Sequence, residues 1–347
     1  MRLEIEHRTL ELARPLESSY GAVTERELLL VTLTDEDGLR AYGEAAPLEP
    51  YDGVSIERVH RALERYAPVL GESDGLNGAR LVDACRLVED LPEAFAAIDM
   101  ALWDRAGRRA GRPVAQLISD APAASVPVNA TLSALDRRGV AEQAAAAVQA
   151  GYTCVKLKVG VGDDAGRVAA ARAAAGPRAA LRLDANGAWD VEEAVAAIEA
   201  LSPAGLELVE EPTHGLHAVR AVRERVAVRV AIDETAAEHG ALTAGVADAV
   251  CLKIARCGGI SGLLAAASLV RATGAEAYVA STLDGPLGVA AGVHAAAALA
   301  SRDGAGAAMP HCGLATLEMF AELENPLPAR AGAIALPLAP GLGVEPR

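Results

Sequence analysis

Six charged residues sit at the ends of short apolar runs, and together they can do acid–base chemistry around a metal. Lys158 ends the run 153–158, with Lys156 two residues before it. Asp184 ends 180–184, Glu210 ends 206–210, Asp233 ends 229–233 and Lys253 ends 248–253. If the runs are β-strands, residues two apart share a face. Lys156 and Lys158 then point one way, opposite Val155 and Leu157. Asp184 shares a face with Asn186, and Lys253 with Cys251. Three carboxylates brought together repel and force one another to protonate unless a cation lies among them. An all-oxygen donor set favours Mg²⁺, with Mn²⁺ as a substitute, over zinc or copper. Lys158 and Lys253 would flank that metal, each able to exchange a proton with a substrate between them. Any one of these residues alone reads as a salt-bridge partner at a rim; the spacing of the whole set carries the signal.

The elements that must position them follow from the same runs. Apolar stretches at 126–131, 153–158, 180–184, 206–210, 229–233, 248–253, 276–281 and 305–309 alternate with helical stretches at 137–150, 164–175, 190–202, 216–225, 236–245, 259–274 and 286–301. Eight strand–helix units of this length argue for a closed parallel barrel, whose chemistry sits at the C-terminal strand ends. An open doubly wound sheet is the alternative, but no GxGxxG follows the first strand. The first 120 residues differ. Strands at 27–34 and 40–44 flank the turn 35–38, and helices follow at 55–70, 77–90 and 92–110. The expected organisation is an α+β domain at 1–120, a barrel at 121–316 and a proline-containing segment at 317–347 that packs back on the first domain.

Composition narrows the classes. The chain has 347 residues, 52% hydrophobic and 23% charged, so it has material for a large core. Only 3% is aromatic, so alanine and branched aliphatics must build that core. A net charge of -15 disfavours nucleic acid, which needs a basic face. Five cysteines without a CxxC argue against a disulfide framework or a cysteine zinc site. No apolar stretch is long enough to span a membrane, and a soluble cytoplasmic protein is expected.

At the residues above, the sequence resembles the enolase superfamily, specifically the muconate lactonizing enzyme subgroup of the mandelate racemase/muconate lactonizing enzyme family. The matching segments are Val155-Lys-Leu-Lys-Val159, Leu183-Asp-Ala-Asn186, Val209-Glu-Glu-Pro212, Ala231-Ile-Asp-Glu234 and Leu252-Lys-Ile254 with Gly258-Gly-Ile260. Tyr42-Gly-Glu-Ala-Ala-Pro47 and Ala97-Ile-Asp-Met-Ala-Leu-Trp-Asp104 extend the likeness upstream. The resemblance implies an α/β fold, a modified (β/α)7β barrel of the TIM type under an N-terminal α+β cap. It implies Mg²⁺ held by Asp184, Glu210 and Asp233, catalytic lysines at Lys158 and Lys253, and support from Lys156, Asn186, Glu211 and Asp284. It also implies cap loops near 17–24 and 47–53 that close over a small carboxylate substrate, and a homo-oligomer, often a dimer or octamer.

The shared step would be removal of a proton α to a carboxylate, giving an enediolate. Lys158 would be the base, its pKa lowered by Lys156 and the metal; Lys253 would be a general acid or a cation–π partner. The subgroup includes o-succinylbenzoate synthase, N-succinylamino acid racemase, dipeptide epimerase and muconate cycloisomerase. Ser281-Thr-Leu-Asp-Gly-Pro-Leu-Gly288 favours the synthase, a dehydration. The stretch 308–313 lacks the Asp-x-Asp pair of many dipeptide epimerases, although the complete cap is more like cycloisomerases and epimerases. Outside this class, a Schiff-base lyase using either lysine and a non-catalytic metal scaffold are the alternatives. His294 reads as a core residue, His214 and His217 as residues within reach of the rim, and His311 as a candidate substrate contact.

Overall fold

The chain begins with a long hairpin. In a computed structural model describing residues 1–18, 21–72, 77–300 and 309–346, β1 (Arg2–Ser18) pairs antiparallel with β2 (Gly21–Thr34), and β3 (Arg40–Ala45) completes a three-stranded sheet. β1 has no counterpart in the expected strands. Arg2-Leu3-Glu4-Ile5-Glu6 does alternate charged and apolar residues, the period of a half-buried strand, and Leu3 and Ile5 are half-buried as that period requires. Five helices follow: α1 (Glu49–Asp52), α2 (Ile56–Glu72), α3 (Gly78–Val88), α4 (Pro92–Ala110) and α5 (Val114–Ile118). α4 lies against the sheet so closely that a Cβ on Gly43 would meet Ala97 O at 1.9 Å. It also carries two buried acids outward: Asp99 accepts from Ser261 N at 3.0 Å, and Asp104 accepts from Tyr42 N and Leu342 N. Cap, barrel and C-terminal segment are therefore joined through one helix.

The barrel is a seven-stranded parallel sheet in sequence order. Its strands are β5 (Ala130–Leu132), β6 (Cys154–Lys158), β7 (Ala180–Asp184), β8 (Leu208–Glu210), β9 (Arg229–Ile232), β10 (Ala249–Leu252) and β11 (Glu276–Val279). The first expected run splits. β4 (Ser125–Pro127) leaves the barrel and joins β12 (Ala329–Arg330) and β13 (Ala333–Ala335) in a small sheet. Pro127 has no N–H to give to a central ladder, which suits an edge role.

Closure occurs at 312–313. Cys312 N donates to Pro127 O, Gly313 N to Val279 O, and Ser281 N to Gly313 O. This replaces the expected eighth run at 305–309, of which 305–308 lie outside the described residues. The result is a (β/α)7β barrel under an α+β cap.

Helices α6 (Arg137–Gln149), α7 (Asp164–Ala175), α8 (Val191–Leu201), α9 (Leu216–Arg223), α11 (Ile260–Ala272) and α12 (Pro286–Ala300) cover the outside, with the single turn α10 (Ile254–Cys257) after β10. The expected helix at 236–245 is instead two short 3₁₀ turns, Glu234–Ala237 and Ala241–Thr243. Gly240 and Gly245 adopt left-handed backbone there (φ 80° and 59°), which a continuous α-helix does not allow. All five cysteines are free thiols. Among the described residues no helix is long and apolar enough to cross a membrane.

His294, fully buried in α12, joins three parts of the chain. Its Nδ1 accepts from Ala115 N at 3.1 Å, and Nε2 donates to Leu342 O at 3.0 Å. Only the neutral ring can do both. Burial lowers its pKa from 6.5 to about 4. Between those two values the unfolded chain binds a proton that the folded one refuses, so stability falls as pH drops through that window. The loss expected from this residue is about 3 kcal/mol. Urea unfolding at pH 7 and at pH 4.5 should show it, and His294→Asn should flatten the dependence. An unchanged slope in the variant would contradict this assignment.

Candidate active site

Strand register builds the site. Lys158 lies opposite Asp184, and Asp184 opposite Glu210, on adjacent strands. Glu210 lies opposite Ala231, so Asp233, two residues further, shares that residue's face. Leu208, Ala231, Ala249, Cys251, Tyr278 and Ala280 form a small apolar cluster of their own. These are positions on the inner face of the barrel, and Ala280 also lines the cavity above. Leu181 and Leu183 belong instead to the larger core under the helices. The alternation expected from sequence is the one observed.

The three acids are almost completely buried, at 1%, 1% and 3% exposure for Asp184, Glu210 and Asp233. Lysines hold them. Lys156 Nζ lies 2.8 Å from both Asp184 Oδ2 and Glu210 Oε1. Lys158 Nζ donates to Asp184 Oδ2 at 2.7 Å and to Asn186 Oδ1 at 2.6 Å. Lys253 Nζ donates to Asp233 Oδ2 at 2.6 Å. Burial alone would lower the pKa of Lys156 and of Lys253, but the adjacent carboxylates outweigh it and raise both. Asp184 and Asp233 are driven below the usual carboxylate range, because the cations beside them overcome burial. Glu210 goes the other way: burial, with repulsion from Asp184 and Asp233, exceeds the help from Lys156.

A further tier of residues fixes these groups. Tyr278 Oη donates to Glu210 Oε2 at 2.7 Å, and the Arg182 guanidinium stacks 5.1 Å from the Tyr278 ring. Glu211 accepts from the backbone N–H of Asp233 and Thr235 and from the Thr235 hydroxyl, with His214 Nδ1 3.0 Å away. It thereby sets the turn that carries Asp233. Asn186 and Glu211 both sit at positive φ (44° and 39°), strain that the surrounding bonds hold in place. Asn186 Nδ2 also donates to Glu234 Oε1 at 3.0 Å. Burial and the neighbouring acids raise Glu234 to about 7.

Lys156, Lys158, Asp184, Asn186, Asp233 and Lys253 line one cavity, which the cap closes with Leu16, Val23, Leu48 and Tyr51. Tyr51 reaches furthest. Its hydroxyl donates to Asp233 Oδ1 at 2.7 Å, and Lys253 Nζ lies 4.2 Å from its ring centre. Of the two cap segments expected to close the site, 47–53 contributes the short helix α1. The segment 17–24 is largely strand, with residues 19–20 outside the described set.

Asp284 does not line the cavity. It is buried beside Ser281 and Arg26 on the cap side of its loop. His311 is placed at the opposite end of the barrel: its Nε2 meets Thr153 Oγ1 at 2.8 Å, near the start of β6, which removes it as a substrate contact. Cys251 lies on the face it shares with Lys253, as strand parity predicts, whereas Tyr51, Tyr278 and Arg256 were not singled out from sequence. Parity along β11 points to Tyr278. Nothing local marks Tyr51.

The donor set suits a hard divalent cation. Oxygens of Glu210 and Asp233 lie within 4.8 Å of each other and of Cys251 Sγ, and Asp184 adjoins Glu210 through Lys156. The Cys251 thiol is pushed well up by burial and by Asp233 and Glu210, and a hard cation prefers the carboxylate oxygens beside it to a soft sulfur.

Comparison with known proteins follows the same lines. Residues 2–119 match the family model for the mandelate racemase / muconate lactonizing enzyme N-terminal domain, and residues 139–347 that for the enolase C-terminal domain-like fold. The chain is 34% identical over 352 residues to muconate cycloisomerase 1 of Rhodococcus opacus, covering 96% of this chain and 92% of that protein. It is 39% identical over 206 residues to an o-succinylbenzoate synthase of Thermobifida fusca, covering 56% and 61%. A solved dipeptide epimerase from Enterococcus faecalis, complexed with Mg and the dipeptide L-Leu-L-Tyr, superimposes with a TM-score of 0.88 at 27% identity, covering 99% of each chain. The chain belongs to the mandelate racemase/muconate lactonizing enzyme family of the enolase superfamily.

Glu211→Gln keeps the shape but turns an N–H toward donors. Divalent-cation affinity should fall on the order of ten- to a hundredfold, as for other residues that orient metal ligands. A calorimetric Mg²⁺ titration giving wild-type affinity would remove Glu211 from that role.

Proposed function

We propose that this chain is a Mg²⁺-dependent enzyme that removes the proton α to a substrate carboxylate, with Lys158 as base and Lys253 facing it. The observation that carries the reading is one cavity lined by both lysines, by Asp184 and by Asp233, with Glu210 tied to Asp184 through Lys156. Asp184, Glu210 and Asp233 would hold the metal, which supplies a positive field for the negative charge that develops on the substrate carboxylate.

Lys158 must be neutral to accept the proton. The C–H bond breaks, its electron pair moves into the carboxylate, and the proton passes to Nζ. Lys156, on the same face and two residues away, is held by Asp184 and Glu210. Asn186 Oδ1 receives the resulting ammonium and fixes its direction. Tyr51 and the cap's leucines exclude water above the reacting carbon.

For the finer assignment, dehydration of the o-succinylbenzoate synthase type comes first. The β C–O bond breaks, and a lysine ammonium gives its proton to the departing hydroxyl, so water leaves. Two observations favour it. The relative of that activity shares 39% identity across 206 residues. The position that closes the barrel carries Cys312 and Gly313, with no acidic pair to hold a substrate ammonium. A cycloisomerase is the second reading, favoured by 34% identity over nearly the whole chain to a muconate cycloisomerase.

The test is α-proton exchange in D₂O, together with turnover of the cyclohexadiene precursor of o-succinylbenzoate, N-succinylamino acids, dipeptides and cis,cis-muconate. Lys158→Ala should abolish exchange with every substrate while Mg²⁺ still binds. Retained exchange in that variant would remove Lys158 as base. Removing divalent cations with EDTA should stop turnover and adding Mg²⁺ should restore it; activity that survives EDTA would overturn the metal-dependent reading.

A further inference from the structure

A buried polar strap joins cap to barrel behind the loop that follows β11, and the chemistry proposed above does not use it. Arg26, on β2, is 3% exposed. Its Nη1 donates to Pro47 O and its Nη2 to Ala46 O, each at 2.8 Å, while Nε donates to Leu283 O at 3.3 Å. Beside it, Glu44 on β3 accepts from Gly285 N at 2.6 Å. A Cβ on Gly285 would lie 2.5 Å from Glu44 Oε2, and one on Gly288 3.0 Å from Oε1. The two glycines leave the space through which a cap carboxylate reaches the start of α12. Burial pulls the Arg26 guanidinium below its usual range, and Asp284, buried in the same place, is the foremost charge opposing that.

The segments tied together by Arg26 are two walls of the substrate cavity. Pro47 leads directly into Leu48 and Tyr51, which line it from the cap. Leu283, held at a φ of 57°, follows Ser281 and Thr282, and all three line it from the barrel. One guanidinium with three carbonyl partners thus sets the distance between these walls. Its planar fork supplies the three directions; a lysine ammonium in the same place cannot meet all of them.

We propose that Arg26 is a positioning residue for substrate selection: by clamping 46–51 to 281–284 it fixes the width of the apolar end of the cavity. The substituent carried by the carboxylate substrate is therefore selected in part by a residue that never touches it. This rests on the reaction proposed above.

The experiment uses the full chain with Arg26→Met and Arg26→Lys, read in two ways. Amide hydrogen exchange should quicken in Arg26→Met within 46–53 and 281–288, with the barrel strands unchanged. In carboxylate substrates of increasing substituent bulk, KM should rise on the order of tenfold for the bulky ones and little for the smallest, with kcat nearly kept. Arg26→Lys should recover part of both effects. Exchange that quickens throughout the chain, or KM and kcat that shift alike for every substrate, would reduce Arg26 to a general fold contact and overturn the proposal; so would unaltered exchange in both segments. If the wild-type chain removes no α-proton from any substrate, the reaction reading fails, and the strap stands or falls on the amide exchange alone.

Discussion

Three carboxylates on neighbouring parallel strands must be kept charged where almost no water reaches them. An unpaired buried carboxylate costs several kcal/mol and escapes the cost by taking up a proton. Lys156, which touches Asp184 and Glu210 at once, and Lys158 and Lys253 on the two flanks hold Asp184 and Asp233 in the charged form, whereas at Glu210 burial and the neighbouring acids outweigh that help. The acids lie almost wholly out of reach of solvent. The lysines that stabilise them line the same cavity as the proposed acid and base.

The surrounding structure follows from that requirement. Parallel register puts Lys158, Asp184 and Glu210 in one row across three strands. One layer below, Arg182 is held by Glu207 and stacks on Tyr278, whose hydroxyl reaches up to Glu210. Each charged layer is thus buttressed from beneath. From above, Tyr51 brings the cap into the same network through Asp233, and Arg256 donates to the Tyr51 oxygen. Cap position and the electrostatics of Asp233 are therefore coupled through the Tyr51 phenol.

The site was legible in the sequence to the extent that it follows from strand periodicity. A period of two assigns Lys156, Lys158, Asp184 and Lys253 to the lumen from their apolar neighbours alone. Tyr51 was out of reach of that reasoning, because it arrives from another domain on a short helix with no period to read. Arg26 and Glu44 lie on cap strands, and their partners Leu283 and Gly285 come from a barrel loop 257 and 241 residues away, beyond any local pattern. The differences in the fold have separate causes. The eighth barrel position consists of Cys312 and Gly313, too short and too small to show as an apolar run. β1 carries a period of two at Arg2–Glu6, which a half-buried strand shows, but the run is short and mostly charged. Residues 236–245 carry helix-forming alanines, but two glycines in left-handed backbone interrupt them.

The most direct test of the central claim is anomalous scattering from crystals soaked in Mn²⁺. A single strong peak bounded by carboxylate oxygens of Asp184, Glu210 and Asp233, with Lys158 and Lys253 on either side of it, is the expected result. A peak at the Glu211–His214–Glu234 group or at Cys154–Glu207–His311, with none among the three acids, would contradict the account.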